Sequence, residues 1–202
     1  MNYLAHAFLS RDAPERLIGG LLGDFVKGPV GERYSPAVRA GILLHRAIDR
    51  YTDDHELVRA SRALVSPERR RFAGILVDVF YDHFLARHWR RYSEVALPDF
   101  TREVYATLLA HRAGFPERLQ RILPWMAGDD WLGSYGELWA VDAALNGIAR
   151  RFRRFPRARV LTGAVEELEH NYTDLEVYFL RFFPELVAYV EEAARWRRTG
   201  TC

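Results

Sequence analysis

The chain holds one cysteine, Cys202, at its last position. A single thiol excludes an intrachain disulfide and a thiolate zinc site, and speaks against a catalytic cysteine. Lysine is almost as scarce, with Lys27 alone. The positive side chains are therefore arginines, which favour bidentate contacts to phosphate and carboxylate. Charge of one sign is also lacking: the net charge is only +2, so the whole-chain field gives no argument for nucleic acid. No apolar run approaches the ~20 residues that span a bilayer, and the first eight residues carry no basic segment leading into an apolar one. A soluble, cytoplasmic protein with no membrane partner is expected. Sustained period-two alternation is missing, as are a Gly-rich phosphate loop, a dinucleotide fingerprint, a Gly-x-Ser-x-Gly elbow and a His-Glu-x-x-His motif.

What remains is a helical pattern on 202 residues, 49% hydrophobic and 13% aromatic, enough for one core without staples. A short helix is predicted over Tyr3 to Leu9. A second is capped by Asp12 or Ala13 and runs to Lys27, where Gly28-Pro29 stops it. Ser35-Pro36 opens a third, carrying Ile42, Leu44, Ala47, Ile48 and Tyr51 inward. A short helix follows from His55 to about Leu64. Ser66-Pro67 opens one reaching about Tyr92. Pro98-Asp99 starts another, to about His111. Short helices around Pro124 cover Glu117 to Trp131. Further helices are predicted over Glu137 to Arg151, Val160 to Phe183 and Pro184 to Arg197. The expectation is all-α, one helical domain over residues 1–202.

The stretch Gly74 to Leu85 is nearly all apolar, yet contains Asp78, Asp82 and His83. An isolated carboxylate inside an apolar run must be paired, protonated or bound to a metal. Asp78 and Asp82, four apart, share one helix face. His45 and Asp49 repeat that spacing on the third helix, and Asp24 lies near the predicted end of the second. Carboxylate and imidazole without thiolate suit a divalent cation of the manganese, magnesium or iron type. An internal ion-pair network, with Arg46, Arg50 and Arg87 neutralising the acids, would satisfy the same pattern. The embedding in Ile-Leu-Val and Val-Phe-Tyr favours the metal.

His6 sits between Ala5 and Ala7, where a core or capping role is the common one. His55, His88 and His111 read as boundary histidines. Glu167-x-x-His170 matches half of a di-iron carboxylate motif, and without a second half it reads as coincidence. The run Arg150 to Arg159 interleaves arginine with Phe152 and Phe155. Nucleic-acid binding, a helix end finished with arginine, and docking to an acidic protein all suit it.

Several stretches together resemble the acyl carrier protein phosphodiesterase family. They are Met1 to His6, Leu21 to Gly28, His45 to Asp49 with Thr52-Asp53, Asp78 to Trp89, and Leu145 to Gly147. The resemblance implies an all-helical fold related to HD-type metal-dependent phosphohydrolases. It implies hydrolysis of holo-acyl carrier protein to the apo form and 4′-phosphopantetheine, with manganese or a similar divalent ion. One departure is plain: no aspartate directly follows a histidine, as the HD dyad requires, and only the reversed Asp82-His83 occurs. On this reading Asp24, His45, Asp49, Asp78 and Asp82 are expected as metal ligands. His6, Asp24 and His83 are expected as catalytic groups, with His6 at the leaving serine oxygen. Arginines at 69 to 71, 87 to 91 or 150 to 154 would receive the acidic carrier protein or grip the phosphate. A related enzyme acting on a nucleotide or other small phosphoester, or a non-enzymatic helical binding protein, would share the same acids.

Overall fold

Proline and the residue before it start several of the helices. Ala13-Pro14 opens α2, Ser35-Pro36 opens α3 with the Ser35 hydroxyl accepting from the Val38 N–H at 3.3 Å, and Pro98 stands in the first turn of α6. The computed structural model describes residues 1–152 and 154–199; Arg153, within the arginine run, and Cys202 lie outside them. The helices are α1 Tyr3–Leu9, α2 Pro14–Leu22, α3 Pro36–Asp54, α4 Glu56–Leu64, α5 Ala73–Arg87, α6 Leu97–Ala110, α7 Glu117–Gly128, α8 Trp131–Ser134, α9 Leu138–Arg151, α10 Val165–His170 and α11 Tyr172–Thr199. Short 3-10 turns cover Arg70–Phe72, Trp89–Arg91, Arg112–Gly114 and Pro156–Leu161. Among the described residues there is no strand, so the all-α expectation holds.

Several boundaries differ from the sequence pattern. α2 ends at Leu22, which leaves Asp24 in the turn beyond it. The helix expected from Pro67 starts late because Ser66 does not cap it: its hydroxyl and N–H both donate to Glu167. The helix expected from Val160 to Phe183 is interrupted at Gly163, whose φ of +71° is a left-handed conformation suited to glycine. Pro124 and Pro184, expected at breaks, lie inside α7 and α11. An interior proline costs about 3 kcal/mol. In α11 the apolar stripe Leu175, Phe179, Phe182, Phe183 and Leu186 continues across Pro184 and is fully buried. Each such side chain contributes roughly 1.5–3 kcal/mol on burial, so the stripe outweighs the proline.

The chain groups into two compact units. One comprises residues 2–47 and 82–140. In it α1 packs on α2, α2 on α6, and α6 on α7 and α8. Gly19 and Gly41 let α2 and the first half of α3 cross closely: a Cβ on Gly19 would stand 2.8 Å from the Gly41 Cα. Trp89 packs between Phe8 and Phe100, with ring centroids 5.4 and 4.8 Å away. The other unit comprises Met1, residues 48–81 and the described part of 141–202. There α11 packs along α4 and beside α10. Tyr81 donates or accepts a 2.7 Å bond with Ser61 and touches Phe179 and Phe182.

Candidate metal centre

In the unit of residues 2–47 and 82–140, the site begins with how α1 is held. Its first N–H groups have no partner within the helix. Asp82, fully buried on α5, accepts from the Leu4 N–H at 2.7 Å and the Ala5 N–H at 3.0 Å. A carboxylate at a helix N-terminus is also favoured by the helix dipole. This clamp answers why a carboxylate is tolerated in the apolar run. It also fixes α1, and with it His6, in the same first turn.

His6 stacks on His45: the ring centroids are 3.7 Å apart and the planes 19° from parallel. Both are buried. His45 Nδ1 lies 2.7 Å from the Gly20 carbonyl oxygen. A carbonyl can only accept, so Nδ1 carries the proton and the lone pair is on Nε2. The ring fits against α2's end because residue 23 is glycine; a Cβ there would collide with the imidazole. Asp24 Oδ1 stands 3.9 Å from His45 Nε2, its side chain 43% exposed. Arg46 holds this turn in place by donating to the Val26 and Gly28 carbonyls at 2.9 and 2.7 Å.

His83 is held in the same manner, with Nδ1 2.9 Å from the Tyr135 carbonyl oxygen. The Tyr135 hydroxyl accepts from the Asn2 side chain at 2.8 Å. Burial, and then the Asp82 carboxylate, push the Tyr135 phenol well above its usual range, so it stays protonated.

In the other unit, the amino group of Met1 lies 3.0 Å from Asp78 Oδ1 and 3.5 Å from Asp49 Oδ1. Burial raises the Asp78 carboxyl above the usual carboxylate range; the Met1 ammonium opposes this, and Asp49 adds to it. Asp53 pairs with Arg62. His55 caps α4 and pairs with Glu185 at 3.2 Å. Glu167 is tied to Ser66 and Arg69, so the Glu-x-x-His half-motif serves packing.

His45 and Asp49 are one turn apart on the single helix α3. The stacked imidazoles of His6 and His45 could hold a metal ion together with a carboxylate. That donor chemistry suits a divalent first-row cation. Asp24 stands at the edge of this group, against His45. Asp78 and Asp82 do share α5, but their carboxylates meet different groups, the Met1 amine and the α1 N–H groups. The arginines proposed for an ion-pair network go elsewhere. Arg46 binds carbonyls, and Arg50 and Arg87 make no ion pair among the described residues. The His6–His45 stack, the Gly23 seat and the Met1 amine were missed in the sequence. The Ala-His-Ala setting of His6 was the available signal, since small neighbours let a second ring approach.

The family described as acyl carrier protein phosphodiesterase matches residues 1–186. An acyl carrier protein phosphodiesterase of Serratia proteamaculans (strain 568) is 43% identical over 189 residues, covering 93% of this chain and 96% of the relative. The protein of that name from Yersinia enterocolitica is 38% identical over 194 residues, covering 95% and 98%. One from Escherichia coli O6:H1 is 38% identical over 199 residues, covering 96% and 98%. No solved structure matches the chain.

Proposed function

Because the chain belongs to the acyl carrier protein phosphodiesterase family, we propose that it hydrolyses holo-acyl carrier protein to apo-acyl carrier protein and 4′-phosphopantetheine. Water adds across the phosphodiester. The bond from phosphorus to the serine oxygen breaks, that oxygen gains a proton, and the phosphate leaves on pantetheine. The observation that carries the reading is the match of residues 1–186 to the family, joined to the stacked imidazoles of His6 and His45, with Asp49 one turn from His45 along α3.

We place a divalent cation, manganese before magnesium or iron, on His45, Asp49 and His6. When bound, such an ion polarises a phosphoryl oxygen and lowers the pKa of water. The chain's own residues do the rest. The Gly20 carbonyl fixes the His45 tautomer, so Nε2 offers its lone pair. Asp24, half in solvent beside His45, orients the attacking water or the departing serine oxygen. Asp78 shapes the charge around Asp49 together with the Met1 amine. Asp82 remains in the proposed ligand set, each of its oxygens keeping a lone pair beyond the hydrogen bond it accepts. His83 stabilises the position of Tyr135 and the segment after Met1. His6, expected at the serine oxygen, serves better as His45's partner, because the stack fixes the two rings as one unit.

The kinship with HD-type phosphohydrolases belongs to this proposal. The all-α fold supports it, and the absent His-Asp dyad departs from it. No helix among the described residues is long and apolar enough to cross a membrane, in keeping with action on a carrier protein in the cytoplasm. Incubation with holo-acyl carrier protein and manganese, followed by mass spectrometry of the carrier, tests the reading. Loss of the phosphopantetheine mass is expected.

A further inference from the structure

The arginines separate once their partners are known. Arg69 donates to the Val160 carbonyl at 2.9 Å and to Glu167 at 3.1 Å, and lies 3.5 Å from Glu166. Arg70 donates to the Val65 carbonyl and Arg90 to the Glu94 carbonyl. Arg151 stands 5.4 Å from the centre of the Phe152 ring. Arg71 and Arg157 differ: both are exposed, and neither makes an ion pair among the described residues. They line a single cavity of about 520 Å³ with Phe72, Phe152, Phe155 and Pro156. No acid lines it. Phe155 is 65% exposed, unusual for a large ring.

The two walls of this cavity are tied together. Arg71 and Phe72 come from the turn Arg70–Phe72, and Pro156 and Arg157 from the turn Pro156–Leu161. Arg69, just before the first turn, bonds to Val160 in the second and to Glu167 in α10. Apolar rings framed by unpaired guanidiniums are the composition of a protein-binding hot spot.

We propose that this cavity is the docking site for the acidic carrier protein. An apolar side chain of the carrier enters between Phe72, Phe152 and Phe155, and flanking carboxylates meet Arg71 and Arg157. The inference rests on the proposed function and selects, among the arginine clusters, the pair that holds the partner. Charge complementarity carries the choice of occupant. Arg71 and Arg157, framing an apolar cavity, match an apolar side chain flanked by carboxylates, whereas Arg150, Arg154 and Arg159 of the wider basic run do not line it.

The test compares wild type, R71E/R157E, R71K/R157K and F155A in two assays: turnover of holo-acyl carrier protein with manganese, and direct titration of binding to the apo carrier. Melting temperatures confirm that each variant is folded. R71E/R157E is expected to raise KM about tenfold or more with kcat nearly unchanged, and to weaken apo-carrier binding to the same degree. R71K/R157K should recover most of the loss, and F155A should also raise KM. Unchanged KM and unchanged binding in R71E/R157E, beside an active wild type, would overturn the docking site and leave the enzymatic reading intact. A wild type that releases no phosphopantetheine overturns that reading. The titration then decides the surface alone: weakened binding in the variant sustains it, and absent or equal binding overturns it. Preferential binding of a labelled single-stranded oligonucleotide by wild type, lost in R71E/R157E, would also overturn it.

Discussion

His6 on α1 and His45 on α3 stack with ring centroids 3.7 Å apart, in a setting that excludes solvent from both. Three constraints meet on this pair: Asp82 fixes α1, the Gly20 carbonyl fixes the His45 tautomer, and Gly23 leaves room for the ring. The pair therefore acts as one preorganised unit, and removing either ring disturbs the other.

Manganese should raise the melting temperature of the wild type, and His6→Ala and His45→Ala should each reduce that rise. The double variant should be little worse than either single one, because groups that act together give non-additive losses. Thermal shift with and without manganese measures this. Additive losses would show that the rings work independently.

Gly23→Ala places a methyl against the His45 imidazole. Turnover and manganese affinity should fall about 10–100-fold, the range for disturbed support of a ligand. Stability should fall by about 1–3 kcal/mol, the range for an overpacked buried site, with the fold retained. Manganese titration beside chemical denaturation checks the division.

Asp82→Ala removes two buried charge-assisted hydrogen bonds to the Leu4 and Ala5 N–H groups. A loss of about 2–4 kcal/mol of stability is expected. Asp82→Asn keeps one acceptor and should lose about half as much. Urea unfolding reads both. Near-normal stability in Asp82→Ala would remove Asp82 from its place as the anchor of α1.

Glu167 gives the fold a pH dependence of known sign. Burial opposes its charge, but hydrogen bonds from the Ser66 side chain, the Ser66 N–H and Arg69 outweigh this and hold its carboxyl below the usual range. A depressed folded pKa means stability that is fully present above the unfolded carboxylate range and lost as pH falls through the lower folded value. The stability gap between wild type and Glu167→Gln should be wide at pH 7 and close in acid. A gap that stays constant from pH 7 into acid would contradict the assignment.

The helices were legible because apolar spacing and Ser-Pro starts are local signals, as at Ser35-Pro36. The misses at Ser66 and Pro184 were not local. Ser66 is claimed by Glu167, a hundred residues later in the chain, and the α11 stripe carries the helix through its proline. The site was legible as an inventory of acids and imidazoles. Which of them stand together was not, since i,i+4 spacing joins Asp78 to Asp82 as readily as His45 to Asp49. Only tertiary packing gives the first pair to the Met1 amine and the α1 N–H groups, and sets His6 on His45.

The most direct measurement is the mass of holo-acyl carrier protein after incubation with manganese and either wild type or His45→Ala. The account predicts that wild type converts the carrier to its apo mass and releases 4′-phosphopantetheine, while His45→Ala, folded, leaves the carrier unchanged. A wild type inert with every divalent metal tried would contradict the proposed reaction, and full turnover by His45→Ala would contradict the metal centre.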